Sequence, residues 1–142
     1  MTGPYFYTNH FHNAEQSHEL GAIVGALFSV DDCASAYSTI RQWPAYHATS
    51  LISMTDIAAA AGVKKVYYKD ESSRFGLGSF KALGGSYAIE CLSQDLSGGD
   101  LVVCTATDGN HGRAVAWGAG LCGAECHVFL HANVSEARAQ AI

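Results

Sequence analysis

The stretch LVVCTATDGNHGRAVAWGAGLCGAECHVFLH, residues 101–131, decides the fold class of this chain. Its first seven residues form a continuous β run that is typical of a buried parallel strand. The small residues of 113–123 predict a helix, and residues 125–131 predict a second strand. A strand, a helix and a strand at this spacing predict a βαβ unit, and therefore an α/β fold with a parallel sheet.

Helices are predicted on both sides of this unit. Residues 133–142 predict a helix that is capped by Asn133 or Ser135. Residues 79–96 predict another, because apolar side chains recur there at spacings of three and four: Phe80, Leu83, Tyr87 and Cys91. The same segment contains Gly84 and Gly85, which are poor helix formers and therefore indicate a close approach by a neighbouring backbone.

The first part of the chain has a less regular pattern. Residues 30–43 predict a helix with Asp31 or Asp32 as its N-terminal cap, and residues 64–70 predict a short strand. Residues 1–42 are therefore interpreted as an irregular amino-terminal segment with a helix. Residues 43–142 are interpreted as an incomplete α/β domain, a partial open parallel sheet with flanking helices, because so few parallel strands leave open edges. The pattern predicts the front end of a longer protein.

Composition excludes several classes of function. The 142 residues are 49% apolar and 15% charged, which is typical of globular proteins. A net charge of −5 with 8 Lys and Arg residues argues against a nucleic-acid partner. The apolar runs are too short for a membrane span. Five cysteines without a C-x-x-C pair favour a reduced, cytoplasmic protein, and the histidines at positions 10, 12 and 18 are more typical of a surface than of a metal site.

Two glycine-rich turns could bind a ligand. The turn GLGSFK, residues 76–81, lacks the third glycine of a dinucleotide-binding motif and does not match a P-loop. It presents Lys81 in an apolar setting near a helix start, where the charged form is disfavoured and the neutral amine can form a Schiff base with an aldehyde. An exposed lysine with its stem over an apolar surface is the alternative. The second turn, residues 108–112, opens a helix and can hold a phosphate or a carboxylate on its N–H groups.

A family resemblance favours the first interpretation of Lys81. The segments KDESSRFGLGSFKALGGSYA (69–88) and TATDGNHGRAVAW (105–117) resemble the fold-type II pyridoxal-phosphate enzymes, and within them the diaminopropionate ammonia-lyases. The resemblance covers about residues 43–142, with YHATSL (46–51) at the place of a Thr-Pro-Leu-like segment. It implies pyridoxal 5'-phosphate as cofactor and a small amino acid as substrate. It also implies a homodimer at full length.

The resemblance also implies roles for individual residues. Lys81 would form the Schiff base with the cofactor, and Asn110 would hydrogen-bond the oxygen of its ring hydroxyl group. Lys81 would also remove the Cα proton of the L substrate, and Asp108, where most of the wider group has Ser, would serve the D substrate. An ordinary helix cap is the alternative for Asp108. The substrate carboxylate would lie on the turn formed by Thr107, Asp108, Gly109, Asn110 and His111, of which His111 would be structural. No metal is implied.

The implied reaction is elimination of ammonia from 2,3-diaminopropionate, which gives pyruvate and ammonia. The family's glycine loop for the cofactor phosphate is not found in these 142 residues, and neither is the partner of the pyridine nitrogen. Two alternatives therefore stay open: a serine or threonine dehydratase of the same fold, and a truncated remnant without catalytic activity.

Overall fold

The computed structural model describes Gly25, Leu27 and residues 29–96 and 101–142. The irregular segment that was predicted at the amino terminus, its histidines and the loop predicted at 97–100 lie largely outside these residues. The elements follow in this order: α1 (Val30–Ile40), β1 (Leu51–Ser53), α2 (Thr55–Ala61), β2 (Tyr67–Lys69), a 3₁₀ turn (Arg74–Gly76), α3 (Lys81–Asp95), β3 (Val102–Ala106), α4 (Asn110–Cys122), β4 (Glu125–Phe129) and α5 (Glu136–Gln140).

The predicted βαβ unit is present. Strands β3 and β4 pair in parallel, with Val102 opposite Glu125 and Ala106 opposite Phe129, and α4 connects them. Helix α4 presses closely on one face, since a Cβ atom on Gly112 would lie 2.5 Å from Cγ2 of Thr107. The prediction of a strand buried on both faces is wrong for the described residues. Alternate residues of β3 and β4 are exposed, because α4 covers only one face of the pair.

A second, antiparallel pair stands before this unit. The strand predicted at 64–70 is confirmed in shortened form as β2, and its partner is β1, which the sequence pattern did not predict. Leu51 pairs with Lys69 and Ser53 with Tyr67. Within the described residues, β2 is therefore not a strand of the parallel sheet.

The caps of the helices are partly as predicted. Helix α1 is capped by Ser29 and not by Asp31 or Asp32: the Ser29 hydroxyl accepts the N–H of Asp32, and the Asp32 carboxylate accepts the N–H of Ser29. This reciprocal pair satisfies two free N–H groups at once, which a lone aspartate cap cannot do. For α5 the position of Ser135 before the first turn is confirmed, but its side chain makes no capping hydrogen bond.

The predicted apolar face of helix α3 is confirmed in part, since Leu83 and Tyr87 are half-buried and pack against the core. The buried residues of α3 are Ala82, Ser86 and Ile89, whereas Phe80 is 58% exposed. Small residues occupy the buried face because α4 lies directly against it. The close backbone approach predicted at the glycine pair is wrong: an added Cβ would be in ordinary contact with the Ala114 side chain at Gly85, at 3.5 Å, and would meet open space at Gly84.

An aromatic cluster forms the centre of the core. Trp43, Phe75 and Trp117 pack together, with the Phe75 and Trp117 rings stacked at 4.6 Å and Trp43 edge-on to both. Ala82 and Ala114 complete the buried contact between α3 and α4. Within residues 29–96 and 101–142, no helix combines the length and apolar content that a membrane crossing requires.

Candidate active site

Lys81 is the first residue of α3. Its N–H donates to Oγ of Ser79 at 3.2 Å, and its Nζ lies 4.9 Å from the centroid of the Phe80 ring. The side chain is exposed, so the described residues do not form the apolar pocket that the sequence predicted around it. The neighbouring residues Ser79 and Ala82 are buried, so the Lys81 side chain is exposed because it lies on the side of the helix that faces away from the core.

The second predicted turn connects β3 to α4. The Thr107 N–H extends the parallel ladder by donating to the carbonyl of Phe129 at 3.0 Å. Gly109 occupies the cap position of α4, and no side chain caps the helix there. The alternative that made Asp108 a helix cap is therefore wrong. Asp108 and Asn110 are both exposed at this helix end, where the free N–H groups of the first turn favour an anion.

Packing of α3 on α4 sets the relative direction of the two helices that begin at the predicted turns. The hydroxyl of Ser86 donates to the carbonyl of Ala114 at 2.8 Å, and Gly118 lies directly against Ser86. Towards the other end, Ser93 of α3 and Leu121 of α4 line one surface groove. The helices therefore run in the same direction, and their amino-terminal residues lie at the same end of the pair.

This arrangement has an electrostatic consequence. Each helix carries a partial positive charge at its amino terminus. Lys81 begins α3 and Asn110 begins α4, and Asn110 follows the carboxyl end of β3, the edge at which ligands bind in open α/β sheets. The site therefore combines an exposed amine, an exposed amide and two helix ends that attract an anion.

A surface groove adjoins this end of α4. Its volume is about 340 Å³, and Asp108, Asn110, Arg113 and Arg138 are among its lining residues. The two guanidinium groups add positive charge beside the turn. The expectation that this turn receives a carboxylate stays a prediction.

Sequence reasoning missed a buried ion pair that precedes the lysine turn. Arg74 is 5% exposed, and its Nε donates to Oε2 of Glu71 at 2.7 Å while its Nη2 donates to Oε1 at 2.9 Å. The hydrogen bond from Arg74 lowers the pKa of Glu71 from 4.5 to about 2. Thr49, in the segment at the place of the family's Thr-Pro-Leu, accepts from Arg74 at 3.0 Å. The charged run KDESSR beside an apolar loop was the available signal.

Comparison with known proteins agrees with this geometry. Residues 43–142 match the family described as pyridoxal-phosphate dependent enzymes. The chain is 36% identical to a diaminopropionate ammonia-lyase of Escherichia coli (strain K12), over 94% of this chain and 36% of that protein. A diaminopropionate ammonia-lyase of Salmonella typhimurium is 37% identical over 72% of this chain and 30% of that protein. The chain thus spans about a third of the length of these curated relatives.

Solved structures give the same result. The selenomethionine-labelled holo diaminopropionate ammonia-lyase from Escherichia coli superposes with a TM-score of 0.74 at 35% identity, over 81% of this chain and 33% of that one. A pyridoxal 5'-phosphate-dependent aspartate racemase superposes with a TM-score of 0.68 at 29% identity, over 79% of this chain and 34% of that one. The family match covers more than half of the chain and includes both turns of the site. The chain belongs to the pyridoxal-phosphate dependent enzymes, of the fold-type II group.

Proposed function

We propose that residues 43–142 form the amino-terminal part of a pyridoxal-phosphate dependent ammonia-lyase that converts 2,3-diaminopropionate and water to pyruvate and two molecules of ammonia. Residues 1–42 would precede this domain, and the complete enzyme would be a cytoplasmic homodimer. The observation that supports the proposal most is the packing of α3 on α4 through Ser86, Ala114 and Gly118, which leaves Lys81 and Asn110, the first residues of the two helices, at the same end of the pair. The similarity to diaminopropionate ammonia-lyases along 94% of the chain supports the substrate.

The described residues fit one part of the cofactor. Lys81 has an exposed amine with no carboxylate at ion-pair distance among the described residues, so its Nζ is available to hold the cofactor covalently. Asn110 would donate a hydrogen bond to the ring hydroxyl oxygen. When bound, the cofactor supplies an electron sink for the substrate carbon that loses its proton. We find no cradle for its phosphate in residues 29–96 and 101–142, so that group would be held by other parts of a longer protein.

The remaining roles are the orientation of the substrate carboxylate and the removal of the Cα proton, and they belong to the second turn and to Lys81. The turn of residues 107–111 would orient the substrate carboxylate by the positive end of α4, through the N–H groups that follow Thr107, since the Thr107 N–H already donates to the carbonyl of Phe129. Lys81 would accept the Cα proton of the L isomer. The carboxylate of Asp108, which is exposed and does not cap α4, would accept that proton from the D isomer on the opposite side.

The assignment of Lys81 is tested by borohydride trapping. The experiment uses an extended protein, meaning this chain continued by the remaining length of the family members. After loading with pyridoxal phosphate and reduction, mass spectrometry is expected to find the adduct on Lys81, and Lys81→Ala is expected to abolish it. Lys64→Ala is the matched control, because Lys64 is also exposed but lies outside the site. A reduced adduct on Lys64, Lys65 or Lys69 would refute the assignment.

An activity screen separates the substrate from its alternatives. The Escherichia coli ammonia-lyase has been solved in complex with D-serine, which makes a serine dehydratase the second candidate. We expect the extended protein to turn over 2,3-diaminopropionate faster than D-serine or L-threonine. Faster turnover of D-serine or L-threonine would favour the dehydratase. No turnover of any of them, with Lys81 unlabelled, would favour a non-catalytic remnant.

A further inference from the structure

We propose that Arg74 and Glu71 are positioning residues for Lys81. Their buried ion pair fixes the loop of residues 75–80, and this loop sets the direction in which the Lys81 side chain leaves the start of α3. The inference rests on the proposed role of Lys81 as the residue that holds the cofactor. It assigns a function to the segment at 46–51, which the mechanism does not otherwise use.

The guanidinium group of Arg74 has partners on three of its sides. Besides the two bonds to Glu71, Nη1 donates to the carbonyl of His47 at 2.9 Å and Nη2 donates to Oγ1 of Thr49 at 3.0 Å. The hydroxyl of Thr49 in turn donates to Oε1 of Glu71 at 2.5 Å, and Nζ of Lys69 donates to the Thr49 carbonyl at 2.5 Å. A planar fork with fixed partners defines both the position and the orientation of its own backbone.

The backbone that follows Arg74 takes a conformation that needs such an anchor. Phe75 has φ +52° and ψ +21°, in the left-handed region that a bulky residue rarely adopts. Gly76 and Gly78 follow with φ +71° and +66°. Strained backbone of this kind persists where the surroundings hold it, and it concentrates at functional sites.

The far side of the loop is also held. The Phe75 ring stacks on Trp117, which belongs to the helix that begins with Asn110. Ser79 is 7% exposed, and its Oγ accepts the N–H of Lys81. The loop therefore connects the ion pair, α4 and the first residue of α3, and it is held at both ends by buried residues, Phe75 and Ser79. A displacement of the Arg74 side chain would therefore displace the loop and the Lys81 side chain with it.

A buried ion pair is a poor source of stability, because apolar residues of equal volume often serve as well. Its advantage here is geometric, since a lysine that holds a cofactor against Asn110 needs a defined direction. A misplacement of about 1 Å at a reacting group costs up to about 10²-fold in rate. Arg74→Lys keeps the charge and loses the fork, so it tests position separately from charge.

The test uses the extended protein and a stability-matched control. Ala58→Gly destabilises α2, whose buried Ala58 has no part in the loop. The measured quantities are the urea midpoint of the unloaded protein, hydrogen exchange of its amides, and the first-order rate at which saturating pyridoxal phosphate becomes borohydride-trappable on Lys81. The two variants are compared at urea concentrations at which they have the same free energy of unfolding. Under these conditions we expect Arg74→Lys to lower the labelling rate of Lys81 about 10 to 10²-fold. Ala58→Gly should leave the rate unchanged.

Hydrogen exchange gives a readout that does not depend on the cofactor. Arg74→Lys should speed exchange at the amides of Leu77 and Lys81, which bond to Arg74 and Ser79, and leave those of residues 114–119 unchanged. If Arg74→Lys does not fold, Thr49→Val removes one anchor of the fork at nearly constant shape and should lower the rate less, in the same direction. Equal labelling rates in the loop variant and the Ala58→Gly control would overturn the proposal. Labelling of another lysine in the unmodified protein would overturn both the role of Lys81 and the positioning role of Arg74 and Glu71. Labelling of Lys81 at the same rate in the unmodified protein, Arg74→Lys and Ala58→Gly would overturn only the positioning role.

Discussion

Gly118 offers the sharpest test of how the candidate site is assembled. An added Cβ would lie 2.6 Å from Cα and 2.8 Å from Cβ of Ser86, a residue in the middle of α3. Normal contact between carbon atoms needs about 3.5–4.0 Å. The backbone of Ser86 cannot rotate away as a flexible side chain could. In Gly118→Ala, α3 and α4 must therefore separate by about 1 Å.

The cost of this separation follows from three contributions. Overpacking in a well-packed interior costs about 1–3 kcal/mol. The hydrogen bond from Ser86 to Ala114, now 2.8 Å long, would weaken, which costs up to about 1 kcal/mol. Replacing glycine by alanine in a helix stabilises by up to about 1 kcal/mol. We expect Gly118→Ala to lower the free energy of unfolding by about 1–3 kcal/mol.

Gly120 is the matched control in the same helix. An added Cβ at Gly120 meets no atom within 4 Å, so Gly120→Ala should be neutral or stabilising by up to about 1 kcal/mol. Urea unfolding of both variants of the extended protein measures the difference. The rate of Lys81 labelling should fall in Gly118→Ala alone, because the separation shifts the helix that begins with Lys81 relative to the helix that begins with Asn110. Equal stability and equal labelling in the two variants would refute the close packing of α3 on α4.

Two further predictions concern carboxylates. The pKa of Glu71 is lowered from 4.5 to about 2 in the folded chain, so its contribution to stability is present above about pH 4.5 and is lost as the pH falls towards 2. The shift alone corresponds to about 3 kcal/mol, and we expect about 1–2 kcal/mol of it to be measured because the Glu71 side chain of the buried pair is still 14% exposed to solvent screening. Glu71→Gln should remove this part of the pH dependence in urea titrations, and an unchanged slope between pH 2 and 4.5 would contradict the ion pair. In the extended protein, Asp108→Asn should lower turnover of D-diaminopropionate about 10² to 10⁴-fold more than that of the L isomer. Equal losses on both isomers would mean that Asp108 only shapes the turn.

The βαβ unit could be predicted from the sequence because each of its elements has a local signal. A continuous β run, a turn of small and polar residues and a helix of small residues follow one another in residues 101–123, and the structure confirms their order. The prediction of the residue that caps α1 was wrong, and the reason is also local. Ser29 and Asp32 form a reciprocal pair three residues apart, and the rule for single caps gave Asp31 or Asp32.

The parts that could not be predicted depend on distant contacts. Strand β1 is only three residues long and is defined by its pairing with β2. The partners of Arg74 at positions 47 and 49 lie more than twenty residues earlier in the chain. The relative direction of α3 and α4 depends on Ser86 meeting Ala114 and Gly118. The sequence therefore predicted the two turns, while the relative direction of the helices that begin at them required the structure.

The aromatic cluster has a consequence for spectroscopy. Both tryptophans of the chain, Trp43 and Trp117, belong to it, and they lie 5.5 Å apart with Phe75 against them. The tryptophan emission of this segment therefore originates at one place, where the strained loop meets α4. The Trp43 indole also donates to the carboxylate of Glu90 on α3, so its emission wavelength depends on that contact. The chain thus contains a native chromophore for the junction that orients Lys81, and separation of this junction should be visible without an added label.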